Sequence, residues 1–132
     1  MTQVTASVMA VDPAGGVHEL VLGSGAAQVD ALHRMVGSDV LDMLVVTPQL
    51  LMWMDDRGAV NGSAVNSVAT DLVSTAPRLR NQVVRGTVVL TGAADPSGNV
   101  TSLAPEWAQI LRSPRQSTPT RPQSGIATVR GR

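Results

Sequence analysis

The amino-acid sequence predicts an α+β domain in two layers, with helices packed on one face of a mixed or mostly antiparallel sheet. Three observations carry this expectation. Short apolar segments come in pairs separated by dense turn chemistry, the mark of hairpins. Other stretches place their apolar residues at helical rather than alternating spacing. A chain of 132 residues, 43% apolar and 15% charged, suits one domain with a single core.

Residues 4–11 read as a strand, with Val4, Ala6, Val8 and Ala10 on one face. Asp12-Pro13-Ala14-Gly15-Gly16 is a turn, and residues 17–22 return as a second strand, which makes an antiparallel hairpin. Residues 26–36 read as a helix, because Val29, Leu32, Met35 and Val36 fall on one side and Gly37 is placed to cap its C-terminus. Residues 40–46 and 50–55 are strand-like on either side of Pro48. Asp56-Arg57-Gly58 turns, Ala59-Val60 returns briefly, and Asn61-Gly62 turns again. A second helix follows over 65–76. Val65, Val68, Ala69, Leu72, Val73 and Ala76 keep helical spacing, Ser63 or Asn66 caps its start, and Pro77 ends it. After a polar link over 78–82, residues 83–90 read as a β-branched strand, residues 99–103 as a short return strand, and Pro105 as the opening of a short helix. From Ser113 the character changes to Pro, Gly, Ser, Thr and Arg, so the expected division is a globular domain over 1–112 and a disordered tail over 113–132.

Composition excludes several kinds of chemistry. The chain has no Cys, hence no disulfide framework and no thiolate nucleophile or metal ligand. It has no Lys, so a phosphate-binding loop with its lysine is excluded, and every positive side chain is Arg. No run is long and apolar enough for a membrane helix, and the N-terminal residues lack the pattern of a signal peptide, so the expected location is the cytoplasm. The net charge of zero is unevenly spread. Residues 1–112 hold six Arg and all ten acids (−4), and residues 113–132 hold four Arg and no acid (+4). Arg115, Arg121, Arg130 and Arg132 could neutralise nucleic-acid phosphates weakly, although no aromatic accompanies them for base stacking.

Few residues suggest a reaction. Asp55-Asp56 could hold a divalent cation, but successive strand residues point to opposite faces, and an Asp-Asp-Arg-Gly run is ordinary turn chemistry. His18 and His33 have no acid or nucleophile in a recognisable spacing. Gly23-x-Gly25 lacks the third glycine of a dinucleotide loop, where Gln28 stands instead. Met52-Trp53-Met54 is either strand core or, if Trp53 is exposed, a partner or ligand site.

Four motifs in order carry a family resemblance: Leu32-His33-Arg34-Met35-Val36-Gly37, then Leu51-Met52-Trp53-Met54-Asp55-Asp56-Arg57-Gly58, then Asn66-Ser67-Val68-Ala69-Thr70, and finally Val84-Arg85-Gly86-Thr87-Val88-Val89-Leu90. In this order the chain resembles an uncharacterised domain-of-unknown-function family of actinobacterial phages, plasmids and their hosts. The resemblance implies a small accessory protein of mobile-element origin and attaches no reaction to it. It also draws attention to Asn66 and Thr70, which sit four apart and share a helix face. Together with Asp55 they could line a polar pocket, or Asn66 could simply cap its own helix.

The expected function is therefore non-enzymatic binding of a host protein or other macromolecule, or of a small ligand, with Trp53, Asp55, Asn66 and Thr70 as candidate binding residues. No catalytic residue, metal or cofactor is expected, and no membrane contact. Two alternatives stand beside it: a nucleic-acid accessory protein that uses the Arg tail, and a metal-dependent enzyme built on Asp55 and Asp56.

Overall fold

The computed structural model describes residues 5–112. The elements run β1 (Ala6–Val11), β2 (Val17–Leu22), α1 (Ala26–Val36), β3 (Leu41–Thr47), β4 (Leu50–Asp55), α2 (Ser67–Ser74), a 3-10 turn (Pro77–Leu79), β5 (Val88–Thr91) and α3 (Pro105–Arg112). The five strands form one sheet in the order β2-β1-β5-β4-β3, and every neighbouring pair is antiparallel. The last strand in sequence thus fills the middle of the sheet and joins two hairpins. The α+β class is as the sequence predicts.

Local chemistry explains the boundaries. In the first hairpin Asp12 accepts the N–H of Gly16 on its carboxylate (2.9 Å) and that of Gly15 on its carbonyl (2.9 Å), with Gly15 at φ +92°. Helix α1 ends at Gly37, whose φ of +78° lets its N–H return to His33 O at 2.8 Å. Helix α2 starts after Asn66, whose side chain accepts the N–H of Ala69.

The layering differs from the expectation of helices on one face. In β1, Ala6, Val8 and Ala10 join Leu22, Leu32, Val36 and Val89 in one core, under α1. The intervening Met9 and Val11 join Met52, Ala69, Leu72, Val73, Val88, Leu90 and Leu111 in another, under α2 and α3. Because strand side chains alternate, these cores lie on opposite faces of the sheet, giving a helical layer on each side. The physical reason is that the central strands are apolar at both parities: all four residues of β5, and all of β1 but Ser7, are buried.

Three shorter expectations also change. Only Val88–Thr91 of the segment 83–90 enters the sheet, because the chain turns at Gly86 (φ +78°) and residues before it make just one bridge, Val65↔Arg85. Residues 59–60 are part of a continuous turn, with Val60 81% exposed. Residues 99–103 contribute one bridge, Ala94↔Val100, rather than a strand. The expected tail over 113–132 lies outside the described residues.

Candidate functional site

Asp55 closes β4 and is fully engaged by its surroundings. One carboxylate oxygen accepts from Ser38 Oγ (2.7 Å) and from the N–H of Arg57 (2.9 Å), and the other from Asn61 Nδ2 (2.9 Å). Ser38 Oγ in turn accepts the N–H of Val40 (3.0 Å). The carboxylate therefore ties the end of α1, the entry to β3 and the 55–61 turn together. The Arg57 N–H holds its pKa below the ordinary carboxylate value, helped by Ser38 and Asn61 against a partial desolvation that acts in the opposite sense.

Asn66 has no exposed surface, and each of its side-chain groups is used. Nδ2 donates to Val11 O (2.9 Å) and Gly86 O (2.9 Å), and Oδ1 accepts the N–H of Ala69 (3.1 Å). Its backbone N–H reaches Val84 O at 2.8 Å. Thr70, one turn along the helix, accepts the N–H of Val84 on Oγ1 (2.9 Å). The two residues thus clamp the 84–86 segment to β1 and α2. The pocket expected between Asp55, Asn66 and Thr70 does not form, because the side chains of Asn66 and Thr70 turn to backbone groups of Val11, Val84 and Gly86, while the Asp55 carboxylate is taken up by Ser38, Arg57 and Asn61.

Trp53 is half-buried against the α1-side core and donates Nε1–H to Thr91 Oγ1 at 3.1 Å. It packs against the rim of that core from β4, between Met43 of β3 and Val89 of β5. Gln28, which stands where a dinucleotide loop would need its third glycine, is 4% exposed and functions as a brace. Its Nε2 donates to Gly23 O (3.0 Å) and its Oε1 accepts the N–H of Val100 (3.0 Å). The available signal was its place four residues before Leu32, on the apolar side of the helix.

A polar surface depression of about 180 Å³ lies where β3, β4 and the 82–85 segment meet. It brings Asp42, Asp56 and Gln82 together with Arg85 and the apolar side chains of Met54 and Val83. Arg85 is steadied by donating Nη1–H to Ser63 O (3.1 Å), and Asp42 by accepting the N–H of Met43 (2.8 Å). Asp55 and Asp56 both border it, but no group of three or more His, Asp or Glu side chains that could hold a metal ion occurs among the described residues. His33 donates its Nδ1–H to Ser38 O (2.8 Å) at the end of α1, and His18 pairs with Asp12 (3.0 Å); neither meets a nucleophile among the described residues. Arg115, Arg121, Arg130 and Arg132 lie outside the described residues. Among the described residues no helix is long and apolar enough to cross a membrane.

An antiparallel sheet clothed on both faces, with a shallow charged depression at its β3–β4 end, defines a small α+β domain. The chain belongs to the family described as "Domain of unknown function (DUF3846)", whose model matches residues 5–114. No curated protein matches the chain, and no solved structure does.

Proposed function

We propose that the protein is a non-enzymatic binding module, a small cytoplasmic accessory protein of phage or mobile-element type that engages a host macromolecule or a small ligand through its folded body. One observation carries this reading. The depression at the β3–β4 end gathers both signs of charge, an amide and apolar surface in one place, while Asp55 and Asn66 are held by hydrogen bonds within the protein. Such a surface is suited to recognition, where complementary charge and apolar contact set specificity. Asp55 steadies its rim, and Asn66, Thr70 and Trp53 hold the elements that build it.

The test is to identify a component of host extract that cross-links to a photoreactive group at position 56, purify it, and titrate it by calorimetry. Wild-type protein is expected to bind it, and Asp42→Arg combined with Asp56→Arg to lose it. Turnover of any substrate that is abolished by Asp55→Ala or Asn66→Ala would defeat the reading.

The partition of charge, −4 over residues 1–112 and +4 over 113–132, favours a second reading in which the tail contacts nucleic acid. That reading requires salt-sensitive DNA or RNA retention that disappears when residues 113–132 are removed.

A further inference from the structure

The two edges of the sheet are built differently. Asp56 donates its N–H to Val40 O at 3.0 Å, which sets the phase of the β3–β4 ladder. In that phase Asp42 and Leu44 bond to β4, and Leu41, Met43 and Val45 turn their backbone groups outward. Those outward groups are covered in part by the protein itself. Arg78 donates a guanidinium N–H to Val45 O, and the Asp42 carboxylate accepts the Met43 N–H. A register shift between Val45 and Thr47 further breaks the line of the edge. A side-chain clamp, an edge charge and a bulge are all devices that keep an edge strand from pairing with another chain.

Strand β2 lacks the clamp and the bulge, and its one acid, Glu19, is paired with Arg112. Asp12 donates its N–H to Gly16 O at 2.9 Å, so Ala10↔His18, Val8↔Leu20 and Ala6↔Leu22 exchange the hydrogen bonds within the hairpin. Val17, Glu19 and Val21 therefore point their N–H and C=O groups away from β1, and no described residue bonds to them. The register is unbroken over all six pairs, β2 contains no Pro, and Val21 is 69% exposed.

We infer that the β2 edge pairs with the β2 edge of a second copy of this chain, antiparallel about a two-fold axis at Glu19, to give one continuous ten-stranded sheet. Only odd-numbered residues face outward, so the ladder pairs Val17 with Val21 of the second copy, Glu19 with its counterpart, and Val21 with Val17. The exposed Val21 gains a β-branched neighbour, a favourable cross-strand pair. The two opposed Glu19 carboxylates would repel each other, but each is already paired with its own Arg112 at the end of α3. The axis therefore carries two acids and two guanidinium groups, a neutral cluster. Isologous pairing of this kind satisfies both copies at once and closes the assembly at two. It does not depend on the charged depression, which lies at the far side of the sheet.

The experiment is sedimentation of the full chain over a concentration series into the high micromolar range, alongside two edge variants. Val21→Arg puts a charge at an exposed edge position. Glu19→Pro removes an outward N–H without removing a bond to β1. The wild-type chain is expected to be dimeric, and each variant, with its circular dichroism unchanged, to weaken the dimer at least tenfold. Since the chain has no Cys, Glu19→Cys provides a readout independent of those two: a short bismaleimide should link two copies through position 19. A chain that stays monomeric throughout would overturn the inference, as would a dimer that neither edge variant weakens or one not linked through position 19. A full chain that becomes dimeric only when residues 113–132 are deleted would overturn it too, by giving the edge to the chain's own C-terminal segment.

Discussion

Asn66 shows what one residue can and cannot disclose before folding. Its place at the start of a helical pattern makes the cap legible, since a short polar side chain there meets an otherwise unpaired N–H. The carbonyls that take its amide protons belong to Val11 and Gly86, which are remote in sequence, and no local pattern points to them. Asn66→Ala is expected to cost about 2–4 kcal/mol in urea unfolding, because it removes a cap and the amide's two donations to Val11 O and Gly86 O. Asn66→Asp should cost at least as much, despite being a good cap in exposed settings, because a buried carboxylate would face those same carbonyls. Asp55 supplies a prediction in pH. Its pKa is depressed in the folded chain, so its contribution to stability is present at neutral pH and disappears as pH falls below about 4 through the folded value. Asp55→Asn should therefore destabilise at pH 7, and the gap from wild type should shrink in acid-side unfolding curves.

At the scale of elements, the sequence announced what local periodicity controls and misjudged what tertiary context controls. Both hairpins, α1 and the core of α2 follow directly from turn residues and apolar spacing. The β-branched run over 83–90 is continuous and predicts one strand, but Gly86 at positive φ divides it, and residues 84–86 go to the Asn66–Thr70 clamp. The placement of helices on both faces had a visible cause in the Ala6–Val11 run, which is apolar at nearly every position rather than at alternate ones. Of the candidate site, Asp55 and its turn were legible; the depression was not, because Asp42, Gln82, Val83 and Arg85 reach it from separate segments. Arg78 gives this scale its prediction. The residue is exposed and its loss should shift the unfolding free energy by under about 1 kcal/mol. Yet Arg78→Ala uncovers Val45 O on the β3 edge, so static light scattering during refolding should rise above that of wild type.

For the molecule as a whole, the two cores share β1 and β5, whose successive residues point into one and then the other. Neither core can be lost while the other keeps its strands. Trp53 packs against one and Trp107 against the other, and they are the only two Trp in the chain. Single-tryptophan variants Trp53→Phe and Trp107→Phe should each unfold in one step whose fluorescence and circular-dichroism transitions coincide. Separated transitions would mean that the two sides melt independently. The strand order has a further meaning during synthesis on the ribosome. Both hairpins, β1–β2 and β3–β4, leave the exit tunnel well before the strand that must lie between them. Until β5 emerges, each nascent hairpin presents one inner edge and two apolar faces to solvent. That interval, rather than the finished fold, is when the chain is most exposed to aggregation and most in need of a chaperone.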